Sequence, residues 1–251
     1  MNTSKVLCRL GAAVLVTCTV ACAPARIPVK QSFWKETQHK VGVTAMPAPQ
    51  LAAHRTGGQG LLDVAINNAM SGSLEAHLQT VDVNKFGTVA DQFVEQLSAR
   101  GISARKLDAP PDITKLRKFK TDASGEFAEK DLRPLAEKEQ IDTLVILSIS
   151  QCGTMRPYYG FIPLDAPSAM CVSTGQMIDL KTNQIAWRTS MEADKATVKV
   201  SGNWDQPPDY RNVTKAIDTS VAKAQDFLVK DFLQGAPRAQ AKAPTASLER
   251  N

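Results

Sequence analysis

The stretch from Thr143 to Arg188, TLVILSISQCGTMRPYYGFIPLDAPSAMCVSTGQMIDLKTNQIAWR, decides how the chain folds. Leu144, Val145, Ile146, Leu147 and Ile149 make a near-continuous apolar run, the pattern of a strand covered on both faces. An aromatic and proline-rich excursion follows, with Arg156, Tyr158, Tyr159, Phe161 and Ile162 set among Pro157 and Pro163. Met170–Leu180 reads as the returning strand, Lys181-Thr182-Asn183 as a tight turn and Gln184–Ser190 as a third strand. Asn183 takes a left-handed turn conformation at low cost, and Asp179 is placed to fix that turn.

Working outward, Lys40–Met46 alternates around Val41 and Val43 and predicts a strand ended by Pro47 and Pro49. Gln50–Gly60 reads as a loop. Leu61–Gln79 predicts a helix whose apolar face joins Leu61, Ala65, Ala69 and Leu62, Ile66, interrupted near Ser71-Gly72-Ser73. Lys85–Arg100 reads as a second helix through Val89, Phe93 and Leu97, and Ile102–Leu107 as a short strand. Asp108–Glu126 is a basic surface loop, and Glu129–Gln140 a helix that tolerates Pro134 in its first turn. On the other side, Thr197–Val200 reads as the end of the third strand or an edge strand, and Ser201–Tyr210 as a loop. Asn212–Leu233 is an amphipathic helix with Val213, Ile217, Val221, Ala224, Leu228 and Phe232 on one stripe. This order predicts an α/β (α+β) fold: a single domain with a mixed, mostly antiparallel sheet packed by helices.

Lys5 and Arg9 precede an uncharged run, Leu10–Ala21, too short for a permanent span and suited to a secretory signal. It ends Thr19-Val20-Ala21-Cys22, which resembles the lipobox of bacterial lipoproteins. The resemblance implies cleavage before Cys22, lipidation of its thiol and, with Ala23 rather than Asp following, sorting to the outer membrane with the domain facing the periplasm. Secretion without a lipid is the alternative. The expected divisions are signal peptide 1–21, lipidated tether 22–38, globular domain 39–235 and disordered tail 236–251. Cys8 and Cys18 would leave with the signal, so Cys152 and Cys171 remain as an even pair in an oxidising compartment. They stand at the two ends of the excursion, where a hairpin sets them opposite each other. A bridge there contributes ~3 kcal/mol through loop entropy; two buried free thiols are the other reading.

Hydrophobic content of 43% and charged content of 22% are ordinary for a globular domain. The formal charge of +5 includes Lys5 and Arg9, and no dense Lys/Arg cluster interleaves with aromatics, so nucleic acid is excluded as a partner. No second apolar run reaches spanning length, which leaves the lipid as the expected membrane contact.

From Asp142-Thr143-Leu144-Val145 through the hairpin Gly175–Trp187, the sequence resembles the lipoprotein group around the curli-secretion protein CsgG and the penicillin-binding-protein activator LpoB. That group carries a turn of the form Asp-x-x-Thr-Gly/Asn followed by a strand with Trp, after a buried strand; here the turn holds Asn183. The resemblance implies an α/β envelope lipoprotein and leaves function open, because the group holds a channel as well as enzyme activators. A secretion pore is disfavoured, since no pair of membrane-facing hairpins is left once the domain is built.

The expected partner-binding residues are Arg156, Tyr158, Tyr159 and Phe161 in the excursion, joined by Trp204 and Tyr210 from the second aromatic loop. Tyr, Trp and Arg are favoured interface anchors; the alternative is that both loops fold back on the core. Gly57, Gly58 and Gly60, preceded by Arg55, lie before a helix where free N–H groups bind anions, although no phosphate-loop Lys-Ser/Thr follows. His39, His54 and His77 stand apart, so no metal site and no cofactor are expected. Ser148, Ser150 and Ser173 lie in strands without a nucleophile elbow, and no catalytic constellation is visible. The function expected is that of a non-enzymatic interaction, assembly or regulatory factor of the cell envelope, working with a protein partner or as a homo-oligomer. A periplasmic binder of small molecules or glycans, with a cleft lined by Arg55, Arg156 and Tyr159, is the alternative.

Overall fold

The computed structural model describes residues 24–239. The expected signal peptide, Cys22 and the tail from residue 240 lie outside the described residues.

A mixed sheet is built on one long strand, β4 (Thr143–Tyr159). Along its first half the order is β3 (Ser103–Lys106), β1 (Lys40–Ala45), β4, β6 (Ser168–Asp179) and β7 (Ile185–Ser190). Strands β3, β1 and β4 are parallel; β6 runs antiparallel to β4, and β7 to β6. Beyond a register shift between Ile149 and Gln151 the neighbours of this pair change. Strand β2 (Ala52–Thr56) now flanks β4 in parallel, and β8 (Thr197–Lys199) flanks β6. Pro47 and Pro49 break the segment between β1 and β2, since proline supplies no ladder donor.

The two faces of the first half carry separate apolar clusters. Val145, Leu147, Met177 and Trp187 belong to the larger, with Phe93 and Leu97 of α3 (Val89–Ser98) and Leu228 and Phe232 of α6 (Arg211–Phe232). The predicted stripe of α6 is buried at all six positions. Leu144, Ile178, Leu180 and Ile185 lie in the other cluster, under Leu107, Leu132, Leu135 and Ile141.

Several expectations need correction. Ala52–Thr56 is a strand, not part of a loop: its polar residues fill an edge whose only strand partner among the described residues is the far half of β4. The excursion is likewise sheet rather than loop, because β4 and β6 both continue through it and β5 (Ile162–Pro163) folds back on Tyr158 and Tyr159. Gly153, at φ 139°, brings the backbone of Ala52 so near that a Cβ would collide with it. Helix α2 (Leu61–Leu78) runs unbroken through Ser71–Ser73, and α4 (Pro134–Glu139) is shorter than the predicted helix. Within the expected tether, residues 26–36 pack onto the domain. Ile27 exchanges backbone hydrogen bonds with Arg188, and α1 (Gln31–Lys35) buries Phe33 and Trp34 against Phe232.

The turn after β6 shows how local chemistry holds the second cluster. Asp179 Oδ1 accepts from the backbone N–H of Lys181 and Thr182 at 2.7 and 3.2 Å. Asn183 sits at φ 65° with its side chain fully buried. Its Nδ2 donates to the carbonyls of Ala128 and Lys130, and its Oδ1 accepts from Leu132 N–H. The residue that makes the turn thus also clamps the segment that brings Ala128 and Leu132 onto the sheet.

Candidate binding groove and apolar end

The far half of the sheet positions the site. Register pairs Ala53 with Thr154 and Arg55 with Arg156, and Cys152 is bonded to Cys171, its cross-strand partner, with Cα atoms 4.1 Å apart. The bridge joins the two strands where the extension begins. At the tip the chain turns through Gly160 at φ 59°, whose N–H donates to Gly58 O at 3.0 Å. Asn67 Nδ2 of α2 donates to Gly160 O at 3.2 Å, so the hairpin tip rests beside the first half of α2.

Between α2, the far half of the sheet and the loop carrying Trp204 lies a groove of about 290 Å³. Met70, Leu74, Tyr158 and Trp204 give it apolar walls, and Arg55, Arg156 and Asp205 reach it. Arg156 crosses the groove from β4. Its Nε donates to Asp165 O at 2.6 Å, and its guanidinium carbon stands 4.8 Å from the Trp204 ring centre and 5.7 Å from that of Tyr158. It forms no ion pair within 4.0 Å among the described residues.

The expected site residues divide. Arg156, Tyr158, Trp204 and Tyr210 are brought together at the groove, as is Arg55. Tyr159 and Phe161 are not; they stand on the outer surface of the tip, Tyr159 at 75% exposure. Tyr158 and Tyr210 are buried and cannot serve as exposed anchors. Tyr210 instead caps α6 from a left-handed conformation and shares a 2.7 Å hydrogen bond with Ser73 of α2. At the anion site expected at Arg55, Gly57, Gly58 and Gly60, Gly60 and Arg55 have partners within the chain. Asp63 Oδ2 accepts from Gly60 N–H at 2.8 Å, supplying the carboxylate that a helix N-terminus favours. Arg55 is held by Glu75 at 3.0 Å, with further bonds to Asn68 and Ser71. Gly57, at φ 102°, serves packing: a Cβ there would overlap the Tyr158 carbonyl.

A second feature went unpredicted. Nine large apolar side chains are exposed among the described residues, and all lie on two neighbouring segments. Leu61, Leu62, Val64, Ile66 and Met70 are on α2; Tyr159, Phe161, Ile162 and Leu164 are on the tip. Leu61 is 93% exposed. The helical face assigned to the core by spacing therefore points to solvent, and in this half of α2 only Asn67 is buried. The signal was present in the sequence: Leu61, Leu62, Val64 and Ile66 are spread around the helix instead of along one stripe.

Among the described residues no three His, Cys, Asp or Glu side chains are grouped to hold a metal ion, and no helix is long and apolar enough to cross a membrane.

No family model matches the sequence, and neither does any curated protein. Solved structures resemble it distantly. A Helicobacter pylori protein described as a proposed neuraminyllactose-binding hemagglutinin homologue has 10% identity over 83% of this chain and 89% of its own, with a TM-score of 0.35. The PelC dodecamer of Paraburkholderia phytofirmans has 11% identity over 80% of this chain and 95% of its own, with a TM-score of 0.30. A lipoprotein of Neisseria meningitidis has 11% identity over 73% of this chain and 96% of its own, with a TM-score of 0.29. At that level they carry no argument about ligand, partner or assembly.

Proposed function

We propose that the chain is a lipid-anchored envelope protein that docks a protein partner on its apolar end and catalyses no reaction itself. The observation that carries this reading is the collection at one end of all nine large apolar side chains exposed among the described residues. Together they offer on the order of 1,000 Å² of residue surface, against about 800 Å² per partner in a stable interface. Soluble monomers rarely leave so large a patch bare. Asp63 is the only charged residue between Leu61 and Met70, and it is engaged with Gly60. Charge depletion of this kind marks the centre of protein interfaces.

The anchor gives the patch a direction. Ile27 joins the sheet at Arg188, so only a few residues separate it from Cys22, a reach of roughly 15 Å. Arg188 pairs with Gln176, and Gln176 with Ile146. The tip lies about 40 Å further along β4 from that point, at ~3.3 Å per residue. A lipid on Cys22 would hold one end of the molecule at the membrane and present the apolar end away from it. The lipobox of Thr19–Cys22 and the family resemblance over residues 142–188 support the same address, with Ala23 favouring the outer membrane.

The test is site-specific photo-crosslinking in intact cells, with the reactive side chain at Phe161 and a control at Lys120. The expected result is one reproducible protein adduct from Phe161 only, abolished by Leu62→Ser, with an unchanged unfolding midpoint. An adduct that persists in the Leu62→Ser protein, or no adduct from Phe161, overturns the assignment. An adduct with a second copy of the chain would replace the separate partner with self-association.

A further inference from the structure

We infer that the groove beneath Trp204 is a binding site for a small organic monoanion: one carboxylate, phosphate-ester or sulfonate group carried on an apolar body. The inference stands apart from the docking role of the apolar end, because Arg156, Trp204 and Tyr158 carry it and only Met70 belongs to both.

The argument is one of satisfied and unsatisfied groups. Two of the other polar side chains along the groove are largely taken: Arg55 by Glu75 and Asn68, with only its Nε left buried and unpaired, and Ser73 by Tyr210. Ser71 is held by the carbonyl of Asn67. Arg156 is different. Only its Nε has a protein acceptor, the Asp165 carbonyl, which leaves the terminal guanidinium donors without a protein hydrogen bond among the described residues. Trp204 and Tyr158 lie against the guanidinium and remove part of its water, and no carboxylate pairs with it. A half-exposed guanidinium stacked between two aromatic rings, with two adjacent free donors, matches a planar or tetrahedral oxyanion, which accepts both.

The remaining surface specifies the rest of the ligand. Met70, Leu74, Tyr158 and Trp204 supply apolar contact, and about 290 Å³ suits a body of two or three rings or a short acyl chain. Asp205 is the one carboxylate on the groove wall, and it disfavours a second negative group. The Cys152–Cys171 bridge and the Ala52–Gly153 contact hold the strand that presents Arg156, so the donors are fixed before binding.

Two dyes that share one skeleton test this. The probes are 8-anilinonaphthalene-1-sulfonate and its uncharged relative N-phenyl-1-naphthylamine, titrated by fluorescence into the chain from residue 23 onward, which keeps all the described residues of both clusters. The native protein should bind the sulfonate saturably and at least about tenfold more tightly than the neutral dye. Arg156→Gln should weaken the sulfonate by about tenfold and leave the neutral dye within about twofold, which also shows that the variant is folded. Asp205→Asn should tighten the sulfonate. Equal affinity for the two dyes, or an Arg156→Gln protein that binds the sulfonate like the native one, overturns the inference. So does loss of the sulfonate in Phe161→Ser but not in Arg156→Gln, since the dye would then sit on the apolar end.

Discussion

Replacing Asn183 separates two jobs that one residue performs. Its backbone holds the left-handed turn at φ 65°, and its fully buried side chain makes three hydrogen bonds to Ala128, Lys130 and Leu132. Asn183→Gly keeps the turn and deletes the clamp. Each net hydrogen bond contributes about 1 kcal/mol, and leaving its backbone partner buried and unpaired adds to that, so the loss should be about 3 kcal/mol. Asn183→Ala deletes the clamp and also forces a Cβ into the left-handed region, which costs about 1 kcal/mol more. Asn183→Asp should rank with Ala or below it, because one carboxylate oxygen would face the two carbonyls that now receive Nδ2. Urea unfolding under oxidising conditions, followed by far-UV circular dichroism, gives the three values directly. The slope should stay constant, so that midpoints report stability alone. A glycine variant within about 0.5 kcal/mol of the native protein would refute the clamp and leave Asn183 as a turn residue only.

Other expectations follow from the same contacts. Gly175→Ala should destabilise by about 1–3 kcal/mol and alter the near-UV spectrum of Trp187, because the added Cβ overlaps the indole packed beside Leu228. Reduction of Cys152–Cys171, which closes a sequence separation of 19, should lower stability by about 3 kcal/mol; an unchanged melting temperature in dithiothreitol would show the hairpin needs no bridge. Asp231→Asn should destabilise the aromatic cluster, since Asp231 accepts from buried Trp187 Nε1 at 2.9 Å and pairs with Arg26. Asp112 has its carboxyl lowered to about 2, first by the hydrogen bond from Lys115 and then by that from Thr114. A depressed carboxyl supports the fold above about pH 4, and that support is lost as pH falls through 2. Because Asp112 lies at the surface, the acid limb should be shallow and weakened further by salt, and Asp112→Asn should remove it.

Much of the scaffold was legible in residue order. The apolar run of β4, the turn at Asp179–Asn183 and the stripe of α6 are local patterns, because each is set by backbone preference and by periodicity within one element. The even cysteine pair, bonded in the structure, was legible in the same way. Prolines misled at the excursion: Pro157 and Pro163 suggest a loop, but a hairpin tip has few ladder bonds for them to interrupt, so both strands continue. The strand Ala52–Thr56 left little trace, since an edge paired on one side needs no apolar alternation.

What only the tertiary structure decided is which side chains remain uncovered. Tyr158 and Tyr159 are adjacent, yet the pleat turns one into the groove and the other into solvent. Leu61 and Leu62 are as apolar as any core residue, but nothing among the described residues packs over their half of α2. Arg55 and Arg156 face the groove from neighbouring strands, and only the position of Glu75 one helix away neutralises the first and leaves the second free. Sequence sets what each segment can become. Burial and pairing depend on elements up to a hundred residues apart, and those contacts settle which groups are left to bind.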